Sequence, residues 1–154
     1  MGTGVAGNLA AAGVLCTLYD VNETAFNDLD MPPLSGQKII DEVNAILFAV
    51  PSTEQIVRFL QKCIGHDTTI INLTTSVLAQ SHPLVTKLKN RGFNYINEAM
   101  NGRARGADAS ALTPMAGGDI GQIVRSKSLF GVIYGRLQRA EIGCIWIGLR
   151  LTLR

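Results

Sequence analysis

The chain has 154 residues, 47% of them hydrophobic and 17% charged. That length suits one domain, or one domain and part of another, and that composition excludes a disordered chain. A net charge of +2 is too small to argue for nucleic acid or an anionic membrane, and no apolar run reaches the ~18 residues that a membrane span needs. The three cysteines, Cys16, Cys63 and Cys144, are scattered and form no C-x-x-C pair. They fit buried thiols in a reducing compartment, so a cytoplasmic location is expected, or the mitochondrial matrix if a targeting segment precedes Met1.

The chain opens on Gly2-Thr3-Gly4-Val5-Ala6-Gly7, a G-x-G-x-x-G pattern. Such a pattern makes a tight turn, lets backbone approach a pyrophosphate and opens a helix whose free N–H groups attract phosphates. Gly13 limits that helix. Residues 14–19 follow as an expected strand ending at Asp20, whose carboxylate suits a ribose 2′-OH and repels a 2′-phosphate, favouring NAD over NADP. Asn22 is an expected N-cap, and Met31-Pro32-Pro33-Leu34-Ser35-Gly36 is a break. Ala45-Ile46-Leu47-Phe48-Ala49-Val50 is a continuous apolar run stopped by Pro51, which fits a strand buried on both faces. Ser52 and Gln55 have capping-box spacing ahead of a helix with Ile56, Val57, Phe59 and Leu60 on one face and Gly65 at its end. Residues 69–73 are the next strand. Residues 81–90 are a helix with Pro83 in its first turn and Gly92 as its stop, followed by a strand over 93–96. Alternating strands and helices of this kind predict a parallel α/β sheet, with ligands beyond the carboxyl ends of the strands. There lie Asp20, Val50-Pro51-Ser52, residues 72–76 including Thr74-Thr75-Ser76, and Asn97 onward. Taken alone, the hydroxyl cluster is a turn or a helix cap.

Asn97-Glu98-Ala99-Met100-Asn101-Gly102-Arg103, then Gly106-Ala107, then Leu112-Thr113-Pro114-Met115-Ala116-Gly117-Gly118 carry a resemblance. From Asn97 to Gly118 the chain is similar, without a gap, to the D-A-P-V-S-G-G…G-A…L-T-x-M-x-G-G stretch of the β-hydroxyacid dehydrogenase family. That family includes 3-hydroxyisobutyrate dehydrogenase, tartronate semialdehyde reductase and 6-phosphogluconate dehydrogenase. Residues 43–51 look like its buried strand and terminal Pro, and residues 70–75 like its D-x-S-T segment. With the glycine loop and Tyr19-Asp20, the resemblance covers residues 2–118 in order.

The resemblance implies a Rossmann-like, mostly parallel, doubly wound sheet with helices on both faces and the first strand largely missing. A partial dinucleotide-binding domain would span 1–118, with a divergent C-terminal part of the same domain over 119–154 and the family's C-terminal helical domain absent. It implies that Gly2, Thr3, Gly4, Val5, Ala6 and Gly7 form the pyrophosphate loop and that Asp20 and Asn22 flank the adenosine ribose. Val50 and Pro51 would line the cofactor cleft, and Thr75 would contact the cofactor near its nicotinamide. Asn101, Gly102 and Arg103 stand where Ser-Gly-Gly holds the substrate carboxylate; Arg103, bulkier than the usual Gly, would either bind that carboxylate or block it. Alone, Arg103 and Arg105 fit solvated loop charges.

The implied cofactor is NAD, with NADP second, and the implied substrate is a small 3-hydroxy acid. No nucleic acid, membrane or metal is expected, and a homo-oligomer only with the helical domain. The family's catalytic Lys has no counterpart here: Lys127 is the only Lys after residue 89 and falls before the expected place. No catalytic residue is therefore assigned, and these residues alone are expected to be inactive, whether as a dehydrogenase fragment or as a non-catalytic dinucleotide-binding module. A short-chain dehydrogenase would need Y-x-x-x-K, which Tyr19, Tyr95 and Tyr134 all lack. Residues 129–149 have strand-like composition without clear alternation.

Overall fold

The structure is a computed structural model that describes residues 2–14, 17–22, 36–74, 78–101 and 113–134. Its centre is a four-stranded sheet in the order β1-β2-β3-β4: β1 (Ala45–Phe48), β2 (Thr68–Asn72), β3 (Phe93–Asn101) and β4 (Thr113–Gly118). The first three strands are parallel and β4 is antiparallel to β3. Among the described residues six helices surround them: α1 (Gly2–Ala11), α2 (Gly36–Glu42), α3 (Thr53–Leu60), α4 (Leu78–Lys89), α5 (Ile120–Arg125) and α6 (Lys127–Tyr134). Among the described residues, no helix is long and apolar enough to cross a membrane.

Strand alternation divides the core into two layers. On one face Ile71, Leu73 and Ile96 pack with Val5 and Leu9 of α1, Ile123 of α5, and Phe130 and Ile133 of α6. On the other, Ile70, Phe93 and Tyr95 pack with Ile40 of α2, Ile56 and Leu60 of α3, and Leu84 and Leu88 of α4. Helices thus cover both faces of a parallel-dominated sheet, as expected of a Rossmann-like fold. Ile70, Ile71, Ile96, Ile56 and Ile133 are wholly buried, and each contributes about 1.5–3 kcal/mol of burial.

Several expectations need correcting. The apolar run at 45–50 does form a parallel strand packed on both faces, Ala45 and Leu47 against one layer and Ile46 and Phe48 against the other, but β1 lies at one side of the described sheet and its first three residues are only half-buried. Val57 points outward at 43% exposure, while Ile56 and Leu60 carry the buried face of α3. Its N-cap is Ser52, whose N–H donates to Gln55 Oε1 at 3.3 Å. Helix α3 ends at Leu60, before Gly65. Pro83 lies in the interior of α4, because that helix starts at Leu78, so Ala79 loses the amide donor a helix normally supplies. The strand expected at 14–19 shows only a single bridge at Leu18, with Leu15 and Cys16 outside the described residues. The strand-like composition of 129–134 folds as α6, since Phe130 and Ile133 reach the α1 layer at helical spacing. Cys63 is buried and its thiol donates to the Phe59 carbonyl at 3.3 Å; burial pushes the thiol pKa up. Cys16, Cys144 and the remainder of 135–154 lie outside the described residues.

Candidate functional site

The candidate site is the carboxyl rim of β1, β2 and β3, beside the start of α1. The sequence places the glycine triplet in a turn ahead of a helix, whereas the structure begins the helix at Gly2. Glycine is a poor helix former, but Val5 and Leu9 are buried against α6, and that packing outweighs the propensity. A Cβ at Gly2 would stand 3.6 Å from the Cβ of Ala49, so α1 begins next to the residue that follows β1. Its first turn carries no acidic side chain, which leaves its free N–H groups available to an anion.

Thr3 is exposed and Gly4 and Gly7 are half-buried. The side chains of Val5 and Ala6 face the core, so any contact they make with a ligand is through backbone. The helix closes at Gly13 (φ 72°), with Gly13 N–H bonded to Ala10 O at 2.9 Å and Val14 N–H to Leu9 O at 3.0 Å. This pair of bonds satisfies the last carbonyls.

Asp20 is exposed and its Oδ1 accepts the Asn22 N–H at 2.9 Å. Asn22 therefore closes a small turn on Asp20; the helix expected after it falls on residues outside those described. The Tyr19 ring meets that of Phe59 of α3 at 5.3 Å, tilted by 54°, and Phe59 in turn meets Phe48, the last residue of β1, edge-on at 5.5 Å. This aromatic chain brings the Asp20 segment to the α3 side of the same strand that Gly2 approaches.

Val50 is half-buried and Pro51 exposed. Val50 is held by a residue two places beyond β2. The Thr74 hydroxyl donates to Val50 O at 2.8 Å and accepts from Val50 N–H at 3.3 Å. Thr74 N–H donates to Asn72 Oδ1 at 2.9 Å, and Asn72 Nδ2 donates to Tyr95 Oη at 2.9 Å and Asn97 Oδ1 at 3.1 Å. Asn72 is wholly buried and Thr74 and Tyr95 nearly so. The sequence marks Thr74 only as one member of a hydroxyl cluster; nothing in local spacing announces a partner 24 residues earlier.

Asn101 ends β3, paired with Thr113. Thr75, Gly102 and Arg103 lie outside the described residues. Lys127 is exposed at the start of α6. His66 is exposed and sits 3.6 Å from Asp41, at the opposite rim. Two open hollows, about 750 and 350 Å³, also lie at that opposite rim, around Gly65 and Gly92 and around Asp67 and Arg125. Neither is lined by a residue of α1 or by Val50.

Comparison with known proteins matches residues 1–148 to the NAD-binding domain of 6-phosphogluconate dehydrogenase. No match is found among curated protein sequences. Among solved structures, 3-hydroxyisobutyrate dehydrogenase of Mycobacterium tuberculosis, solved with L-serine, superposes with a TM-score of 0.84 at 20% identity, over 91% of this chain and 50% of that one. The 3-hydroxyisobutyrate dehydrogenase of Salmonella typhimurium gives 0.80 at 20% identity, over 90% and 52%. Psf3, in complex with NADP+ and 2-OPP, gives 0.82 at 16% identity, over 89% and 52%. The chain spans about half the length of these structural neighbours, and at such identities the likeness is one of fold.

Proposed function

The chain belongs to the family of the NAD-binding domain of 6-phosphogluconate dehydrogenase, and from that premise we propose that it binds NAD across the carboxyl rim for a dehydrogenase acting on a small 3-hydroxy acid, such as 3-hydroxyisobutyrate, or the matching semialdehyde. The observation that carries the reading is the start of α1 beside Ala49, with no acidic side chain in its first turn. The residues fit a dinucleotide. Backbone N–H groups of Gly2, Thr3 and Gly4 would hold the pyrophosphate, Asp20 the adenosine ribose, and Val50, Pro51 and Thr75 the cleft toward the nicotinamide. Asn101, Gly102 and Arg103 would meet the substrate carboxylate. When bound, the nicotinamide supplies hydride chemistry.

The exposed carboxylate of Asp20 favours NAD, since a 2′-phosphate would meet it with like charge. Calorimetric titration should show NADH binding more tightly than NADPH, and Asp20→Asn should narrow the gap. Tighter binding of NADPH by the unaltered chain would refute the role of Asp20. Absence of any heat with NADH would refute the site.

Little or no turnover is expected from these 154 residues by themselves, because their sole Lys beyond α4 and β3, Lys127, is exposed at the start of α6 and away from Val50 and Gly2. Oxidation of 3-hydroxyisobutyrate by the purified chain would overturn that expectation. A non-catalytic dinucleotide-binding module is the second reading, favoured by the same absence of a lysine at the rim among the described residues.

A further inference from the structure

The buried hydrogen bonds behind the rim link segments that the proposed function assigns to two different ligands. In the β1–β2 register Phe48 faces Asn72, and Leu73 N–H still reaches Phe48 O at 2.9 Å. One step further the backbone ladder stops. There the Thr74 hydroxyl takes over, bonding both the N–H and the C=O of Val50. Asn72, also the register partner of Asn97 on β3, bonds Thr74 on one side and Tyr95 and Asn97 on the other. The chain of bonds therefore runs across all three parallel strands, from the segment before Pro51 to the first residue of 97–103.

We propose that Thr74 and Asn72 are positioning residues, which hold Val50 and Asn97 at a fixed separation and so set the cofactor cleft against the substrate segment. The proposal rests on the cofactor role given above to Val50 and Pro51. A hydroxyl that satisfies both backbone groups of one residue fixes its peptide planes as well as its place. A β-branched residue without a hydroxyl would fill the space but leave Val50 N–H and C=O to find water or distort.

The test pairs cofactor titration with amide exchange on the 154-residue chain. Thr74→Val keeps the shape and removes both bonds to Val50. It is expected to weaken NADH binding about tenfold, the loss typical of one to two buried hydrogen bonds, while Thr74→Ser stays within about twofold of the unaltered chain. A Thr74→Val protein that melts earlier yet binds NADH unchanged when folded would show a merely structural hydroxyl and overturn the proposal.

Tyr95→Phe removes the hydroxyl to which Asn72 donates, at the far side of Asn72 from Thr74 and Val50, and remains informative if Thr74→Val does not fold. Faster exchange of the Val50 amide in Tyr95→Phe supports the linkage; unchanged exchange there overturns it. If the unaltered chain binds no NADH, the cofactor reading fails by itself, and the exchange of Val50 still decides whether the linkage exists.

Discussion

At the carboxyl rim the strands are joined by side chains: Thr74 to Val50, Asn72 to Tyr95 and Asn97. At the amino rim backbone also meets backbone. Gly65 N–H donates to Arg91 O at 2.8 Å and Asp67 N–H to Gly92 O at 3.1 Å. The two glycines approach so closely that a Cβ on Gly92 would fall 2.3 Å from Gly65 O. Side chains join that rim too: the Arg91 guanidinium donates to Cys63 O, Gln37 bonds both the N–H and the C=O of Ile64, and Asn94 Nδ2 donates to Asp67 Oδ1 at 2.8 Å, while the Arg125–Asp67 ion pair at 3.6 Å is exposed. A side-chain joint can be altered one functional group at a time, so the carboxyl rim is adjustable by single substitutions. The close backbone joint at Gly65 and Gly92 leaves no such freedom, and it is the fixed point of the opposite rim.

That contrast is broken most directly at Gly92, where φ is 80°. Gly92→Ala meets both a left-handed backbone and a backbone clash, and should cost about 3 kcal/mol or more in urea unfolding. A loss below 1 kcal/mol would mean that the two loops are not pressed together. Gly13 has a similar φ of 72° but nothing within 4 Å of its absent Cβ. Gly13→Ala therefore isolates the dihedral cost, about 1 kcal/mol, and an equal loss at both sites would remove the close approach from the explanation. Arg125→Gln deletes an ion pair whose side chains are 70% and 74% exposed. The expected change is under about 0.5 kcal/mol, and a larger one would show that even the exposed ion pair holds the amino rim.

The sheet was legible where composition and periodicity agreed. Residues 45–48, 68–72 and the start of β3 are dense in Ile, Leu, Phe and Tyr, and Ser52 with Gln55 announces α3. Helix α2 was missed because its apolar residues, Ile39 and Ile40, are adjacent and give no helical period. Strand β4 is Thr-Pro-Met-Ala-Gly-Gly, a composition with low strand propensity. Its place comes from pairing with β3, which is tertiary information. For the same reason, a capped helix tells nothing of where Val57 points. At the candidate site, Asp20 and the glycine helix could be singled out from local pattern. The Thr74–Val50 and Asn72–Asn97 bonds could not, since each joins residues 24 or 25 positions apart that only strand register brings together.

Strand β3 changes partners along its length. Residues 93–97 pair with β2, whereas 96–101 pair with β4, so 98–101 continue past the end of β2 as half of a two-stranded ribbon. Four residues of strand reach about 13 Å, and an isolated ribbon of two strands is marginal in water. Protection against local unfolding should therefore fall stepwise from Ile96, bonded on both sides, to Asn101. The ribbon should open like a zipper from its tip while the three parallel strands stay closed, which would give residues 98–101 their own, lower opening energy within an otherwise cooperative sheet.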